Sequence, residues 1–141
     1  MTDAVTDAVH DLLMGPRVTR YRIQQVRSKY LAIYMAMMPG GIQYDKVQTS
    51  PADMMPEKMD GLVELEEKIL RLEDLHRRQI EDIETACGKL SDELQRTVLL
   101  MFYVGGISVR EIAETLHYSE RTIFRVRRQG QCALAEIVDS E

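Results

Sequence analysis

Apolar residues recur at helical spacing through most of this chain, and short polar or Gly/Pro-rich breaks divide it into a few long elements. Ile23, Val26, Tyr30, Ile33 and Met37 alternate steps of three and four, which predicts one helix over about 17–38. Met38-Pro39-Gly40-Gly41 stops it. Gly40-Gly41, Ser50-Pro51 and Pro56 mark a loop over 39–56. A second helix is expected from about 57 to 88, carrying Leu62, Leu65, Ile69, Leu72, His76, Gln79, Ile83, Ala86 and Leu90 at heptad spacing. Leu75, Ile80 and Cys87 widen its apolar face. So wide a seam suits an intrachain antiparallel hairpin and pairing with a second copy, and both contacts are expected. His76, alone in that seam, reads as a tolerated polar residue rather than a ligand or switch. Residues 1–16, with TDAVTDAVHDLLMG, are expected to form a short amphipathic or frayed N-terminus.

The last third carries a different pattern. Ser108 followed three residues later by Glu111 is a capping box, in which hydroxyl and carboxylate satisfy free N–H groups at a helix start. Ile112, Ala113 and Leu116 give that helix a short apolar face, with small Ala113 where another helix must cross closely. Leu116-His117-Tyr118 is a turn, and Ser119 caps the next helix. At about 100° per residue, with Arg121 at zero, Arg125 falls at about 40° and Arg128 at about −20°. Ile123, Val126, Gly130, Leu134 and Ile137 fall between about 140° and 220°. One face is built for burial, the other presents guanidinium groups, and Arg127 sits on the flank. A second helix presented in this way enters the major groove of DNA, its first turns nearest the base edges. Most arginine-bearing faces are merely solvated. Two capped helices, a short turn and an aligned Arg row together favour DNA binding.

The segment LSDELQRTVLLMFYVGGISVREIAETLHYSERTIFRVRRQGQCALAEI resembles region 4 of sigma-70-type factors, the domain that reads the −35 promoter element. The resemblance implies a supporting helix over 90–104 opened by Ser91-Asp92-Glu93, a break at Gly105-Gly106, and the two helices already described. It places DNA contacts on the opening turns of the second helix, here Glu120, Arg121, Thr122, Phe124 and Arg125. Ser119 at the helix start and Arg128, whose position further along the helix sets it against phosphate, complete the expected DNA-binding residues. Region 4 commonly has Gly in the turn where this chain has His117, and polar or basic residues where it has Glu120, Thr122 and Phe124. At His117 a left-handed backbone would be less comfortable than at glycine, and the residues at 120, 122 and 124 point away from the consensus −35 sequence. Upstream, GGIQYDKVQTSPADMM followed by a long charged helix resembles small phage and prophage sigma-like regulators, a resemblance that runs from about residue 20 to the end.

The chain has 141 residues, a net charge of −5 and a pI near 5.3, an acidic balance for a DNA-binding protein. Its distribution resolves the conflict. Between 117 and 131 only Glu120 opposes Arg121, Arg125, Arg127 and Arg128, and Arg17, Arg20, Arg22, Arg27 and Lys29 stand without an acid between 16 and 30. Acids outnumber bases between 57 and 93. A single Arg cluster neutralises few phosphates, so a monomer should bind weakly and lose affinity with salt. A second copy or RNA polymerase would supply the remainder.

Several function classes find no support. The longest apolar run, LAIYMAMM, falls short of a membrane span, and the chain does not open on a signal segment. Cys87 and Cys132 match no metal or redox spacing, so they are expected as reduced thiols in a cytoplasmic protein. There is no catalytic constellation, phosphate-cradling loop or metal spacing, so neither enzyme activity, a cofactor nor a bound metal is expected.

The expectation is therefore an all-α chain of three parts: the terminus at 1–16, a helical hairpin or association region at 17–89, and a three-helix helix-turn-helix domain at 90–141. Its function is expected to be DNA-binding transcriptional regulation of phage or prophage type. Its partners would be double-stranded DNA, RNA polymerase and a second copy held through the N-terminal helices, with no membrane. The competing reading is an assembly module that docks on RNA polymerase or a phage packaging complex without reading DNA.

Overall fold

A computed structural model describes residues 3–38 and 51–140, and every regular element among them is helical. Helix α1 spans Asp3–Met37 and α2 spans Pro51–Cys87. Helix α3, Glu93–Leu99, runs directly into a π-helical turn at Leu100–Val104. Helices α4, Val109–Leu116, and α5, Glu120–Ser140, complete the chain. The YDKVQTSP segment lies outside the described residues except for Pro51, where α2 opens.

Two helix boundaries differ from the expected ones. Helix α1 does not begin at residue 17 but runs from Asp3 through Pro16 as one helix, so the described residues 3–16 are part of α1 rather than a separate segment. Interior proline removes a backbone hydrogen bond and costs about 3 kcal/mol. Here burial offsets that cost: Val9, Leu13 and Pro16, spaced four and three, are all buried. Helix α2 starts at Pro51, not near 57. Proline fits a helix opening, because its missing N–H has no intrahelical partner there and its φ is already helical.

The chain forms two compact units, Met1–Val18 with His76–Glu141, and Thr19–Leu75. The units do not follow the expected divisions at 16/17 and 89/90, since α1 and α2 each serve both. In the Thr19–Leu75 unit the two helices run antiparallel as an intrachain hairpin: Tyr30 Oη donates to Glu66 Oε1 at 2.8 Å, and Arg27 pairs with Glu73. Both pairs are solvent-exposed and contribute little net stability. The hairpin is held by burial of Ile23, Val26 and Leu62, with Ile33, Leu65, Ile69 and Leu72 half-buried alongside.

The other unit contains the helix-turn-helix and is built around two apolar clusters. In the first, Val9 and Leu13 of α1 and Ile83 and Cys87 of α2 pack with Leu90, Leu99, Tyr103, Leu134 and Ala135. The second joins Val98 to Ile112, Ala113, Ile123 and Val126. The turn between α2 and α3 is closed by Arg96, whose Nη1 donates to Leu90 O at 3.0 Å. Asp92 then caps α3, its Oδ1 accepting from Gln95 N at 3.0 Å.

Candidate nucleic-acid interface

The support helix ends in a local widening. Gly105 N donates to Leu100 O at 2.9 Å, a five-residue step that closes the π turn. A Cβ on Gly105 would lie 2.7 Å from Met101 O, a backbone atom that cannot swing aside, and Gly106 has φ 68°. Both glycines are thus required by the break that the residue pair predicts. Ser108 then caps α4, its Oγ accepting from Glu111 N at 3.2 Å, as the capping-box spacing implies.

Between the two helices His117 adopts φ 61° and ψ 43°, the left-handed conformation in which region 4 commonly uses glycine. Among the described residues it is the one non-glycine with positive φ. Its conformation lets Tyr118 N donate to Ala113 O at 3.0 Å, closing α4 before α5 starts. Ala113 is buried where α4 packs on α5, as its small side chain suggests.

Ser119 opens α5. Its Oγ accepts from Thr122 N at 3.1 Å and donates to Thr122 Oγ1 at 2.9 Å. Among the sequence candidates, Ser119 and Thr122 therefore fix the helix start, with Ser119 exposed and Thr122 half-exposed. Glu120, Arg121, Arg125 and Arg128 are exposed, and Phe124 exposes 51% of its surface. On the opposite face Ile123, Val126, Gly130 and Leu134 are buried and Ile137 is half-buried, in agreement with the helical spacing. Gly130 permits the closest approach: a Cβ there would meet Leu99 Cδ1 at 3.0 Å.

Electrostatics separate the two helices. On α4, Arg110 lies 3.6 Å from Glu114, so its charge has a local partner. Among the described residues Arg121, Arg125 and Arg128 have no carboxylate partner. Three exposed cations without counter-charges on one face of a capped helix favour an anionic partner.

The sequence puts Arg127 on the flank and Arg17 in an acid-free basic stretch, and gives no sign that either meets Phe102. Arg127 Cζ lies 4.5 Å from the Phe102 ring centroid and 5.3 Å from that of Phe124. Arg17 Cζ lies 4.4 Å from the Phe102 centroid. The Phe124–Arg127 spacing of three, which aligns side chains on a helix, is a local signal for part of this cluster. The meeting of Arg17 with Phe102, 85 residues away, has no such signal.

Among the described residues no group of His, Cys, Asp or Glu could hold a metal ion, and no helix is long and apolar enough to cross a membrane. No curated protein and no solved structure matches the chain. Residues 80–128 match the family model of sigma-70, region 4, a segment that contains the whole support helix, the Gly105-Gly106 break, α4 and the opening of α5. The C-terminal part of this chain is accordingly a sigma-70 region 4-like helix-turn-helix, the DNA-binding type of domain found in transcription regulators.

Proposed function

We propose that this chain is a cytoplasmic transcription regulator of phage or prophage type that reads double-stranded DNA through the opening turns of α5. The observation that carries the reading is the exposed row Arg121, Arg125 and Arg128, without carboxylate partners and opposite a buried apolar face. Arg121 and Arg125, one turn apart near the helix start, would meet base edges, where a bidentate guanidinium recognises guanine. Glu120 can accept from the cytosine amino group, and the exposed Phe124 ring suits a thymine methyl. Ser119 and Thr122 hold the helix start in place. Arg128, further along, would meet a phosphate and add affinity without sequence information.

Binding of the full chain to a labelled mixed-sequence duplex, followed by anisotropy as salt is raised, tests the phosphate role. Arg128→Ala should lower the salt slope by about 1. An unchanged slope would remove Arg128 from the interface.

We further propose association of two copies through the hairpin. Leu31, Tyr34 and Met35 are exposed at helical spacing on α1, Met38 is exposed just beyond its end, and Met59, Val63 and Leu70 are exposed on α2. A two-helix hairpin with this much uncovered apolar surface suits a four-helix association. Sedimentation should give twice the 16.2 kDa chain mass, and Leu31→Glu with Val63→Glu should restore the single mass. A monomeric wild type would end this part of the proposal. The competing reading, a module that docks on RNA polymerase or a packaging complex, is favoured by Tyr118 in the turn and Phe124 on α5, which expose 47% and 51% of their surfaces.

A further inference from the structure

Two guanidinium groups converge on one aromatic ring beside the reading helix, and one of them comes from the far end of the sequence. Arg17 Cζ stands 4.4 Å and Arg127 Cζ 4.5 Å from the centroid of half-buried Phe102, which puts the two charges less than 9 Å apart. Arg17 is further fixed by its Nη1, which donates to Phe102 O at 3.3 Å. The ring is itself supported: Tyr103 packs edge-on against it at 4.8 Å, and Gln131 Nε2 of α5 donates to the Tyr103 hydroxyl.

Attraction to an aromatic face accounts for one cation on Phe102. The second brings a like charge to within 9 Å of the first, a repulsion that the ring does not neutralise. Among the described residues neither guanidinium has a carboxylate partner. Each guanidinium has five N–H donors, and Arg17 spends one on Phe102 O, so the pair keeps donors for an anion. Their place on the molecule selects the anion. Arg127 lies on α5 between Phe124 and Gln131, on the flank beside the Arg121, Arg125 and Arg128 row. A helix that lies in the major groove has base edges before its outward face and the sugar-phosphate backbone along its flanks.

We propose that Arg17 and Arg127, mounted on Phe102, grip a backbone phosphate of the duplex that α5 reads. The proposal rests on the DNA-binding reading above and extends it to the N-terminal helix, since residue 17 lies outside the segment 80–128 that matches region 4.

The test uses the full chain and a fluorescein-labelled mixed-sequence DNA duplex, with anisotropy followed from about 50 to about 200 mM salt. Arg17→Gln should lower the salt slope by about 1 and weaken binding about five- to ten-fold near 0.1 M salt, because one phosphate contact is lost. Arg17→Lys, which keeps the charge, should keep the slope. A folded Arg17→Gln protein with wild-type slope and affinity would overturn the proposal. Should Arg17→Gln fail to fold, the wild-type protein still decides: bound duplex should shield Arg17 from modification by phenylglyoxal, and equal reactivity with and without duplex overturns the assignment. A wild-type protein that binds no duplex at all would instead remove the DNA-binding reading on which the proposal stands.

Discussion

Leu13→Ala is the substitution that separates the observed architecture from one in which the N-terminus is frayed. Leu13 has no exposed surface and packs in one cluster with Ile83, Cys87, Leu99, Tyr103 and Leu134, so it belongs to the core that holds α5 in place. Truncation removes apolar atoms from a close-packed site and leaves a cavity, for which buried Leu→Ala changes cost about 2–5 kcal/mol. Both ends of Leu13's own helical turn are tied down, by buried Val9 and Pro16, which restricts collapse into the cavity and favours the upper half of that range. Set against a total stability of about 5–15 kcal/mol, this is a large fraction. Urea denaturation read by circular dichroism and tyrosine emission, Tyr103 being in the affected core, should show a lower midpoint with an unchanged slope. His10→Ala on the exposed side of the same helix should change stability by no more than about 0.5 kcal/mol. A loss below about 1 kcal/mol for Leu13→Ala would refute the packing of α1 on the helix-turn-helix.

Two further outcomes follow from local geometry. His117→Gly relieves a left-handed non-glycine residue, worth about 1–2 kcal/mol, and adds about 0.5–1 kcal/mol of unfolded-chain entropy, so it should be neutral to mildly stabilising in a thermal melt. A clear loss would show that the exposed imidazole makes a contact of its own. Burial pushes the Cys87 thiol from its ordinary 9.0 up to about 11, against a smaller opposite pull from Arg96, whereas Cys132 is exposed. A thiol reagent near neutral pH should therefore modify Cys132 promptly and Cys87 only on unfolding. Because the folded state holds the Cys87 proton more tightly, its contribution is present below pH 9 and is lost as pH rises through about 11. Cys87→Ala should show a shallower alkaline loss of stability, and an equally steep one would contradict the shift.

What could be seen in the sequence was local. Ser108 and Ser119 announce helix starts because a cap is a contact across three residues, and Arg121, Arg125 and Arg128 separate from Ile123, Val126 and Leu134 because helical period alone sorts them. The hairpin was legible as one of two pairings of a wide seam. The continuity of α1 through Pro16 was not legible, because the cost of an interior proline is local while its compensation, burial beside Leu13 in a core shared with Leu99 and Leu134, joins residues far apart in sequence. The π turn at Leu100–Val104 has no period that distinguishes it from the α-helix before it. The Arg17–Phe102–Arg127 stack needs the tertiary fold to exist at all.

The central claim is that α5 reads base sequence. Selection of binding sites from random duplex DNA by the full chain, with and without RNA polymerase, tests it most directly. The account predicts that wild type enriches a defined sequence and that Arg121→Ala or Arg125→Ala flattens preference at one or two positions, each bidentate guanine contact discriminating by about 1–3 kcal/mol. If the wild-type protein enriches no sequence under either condition, α5 is not a reading helix, and the exposed arginine row serves an assembly contact instead.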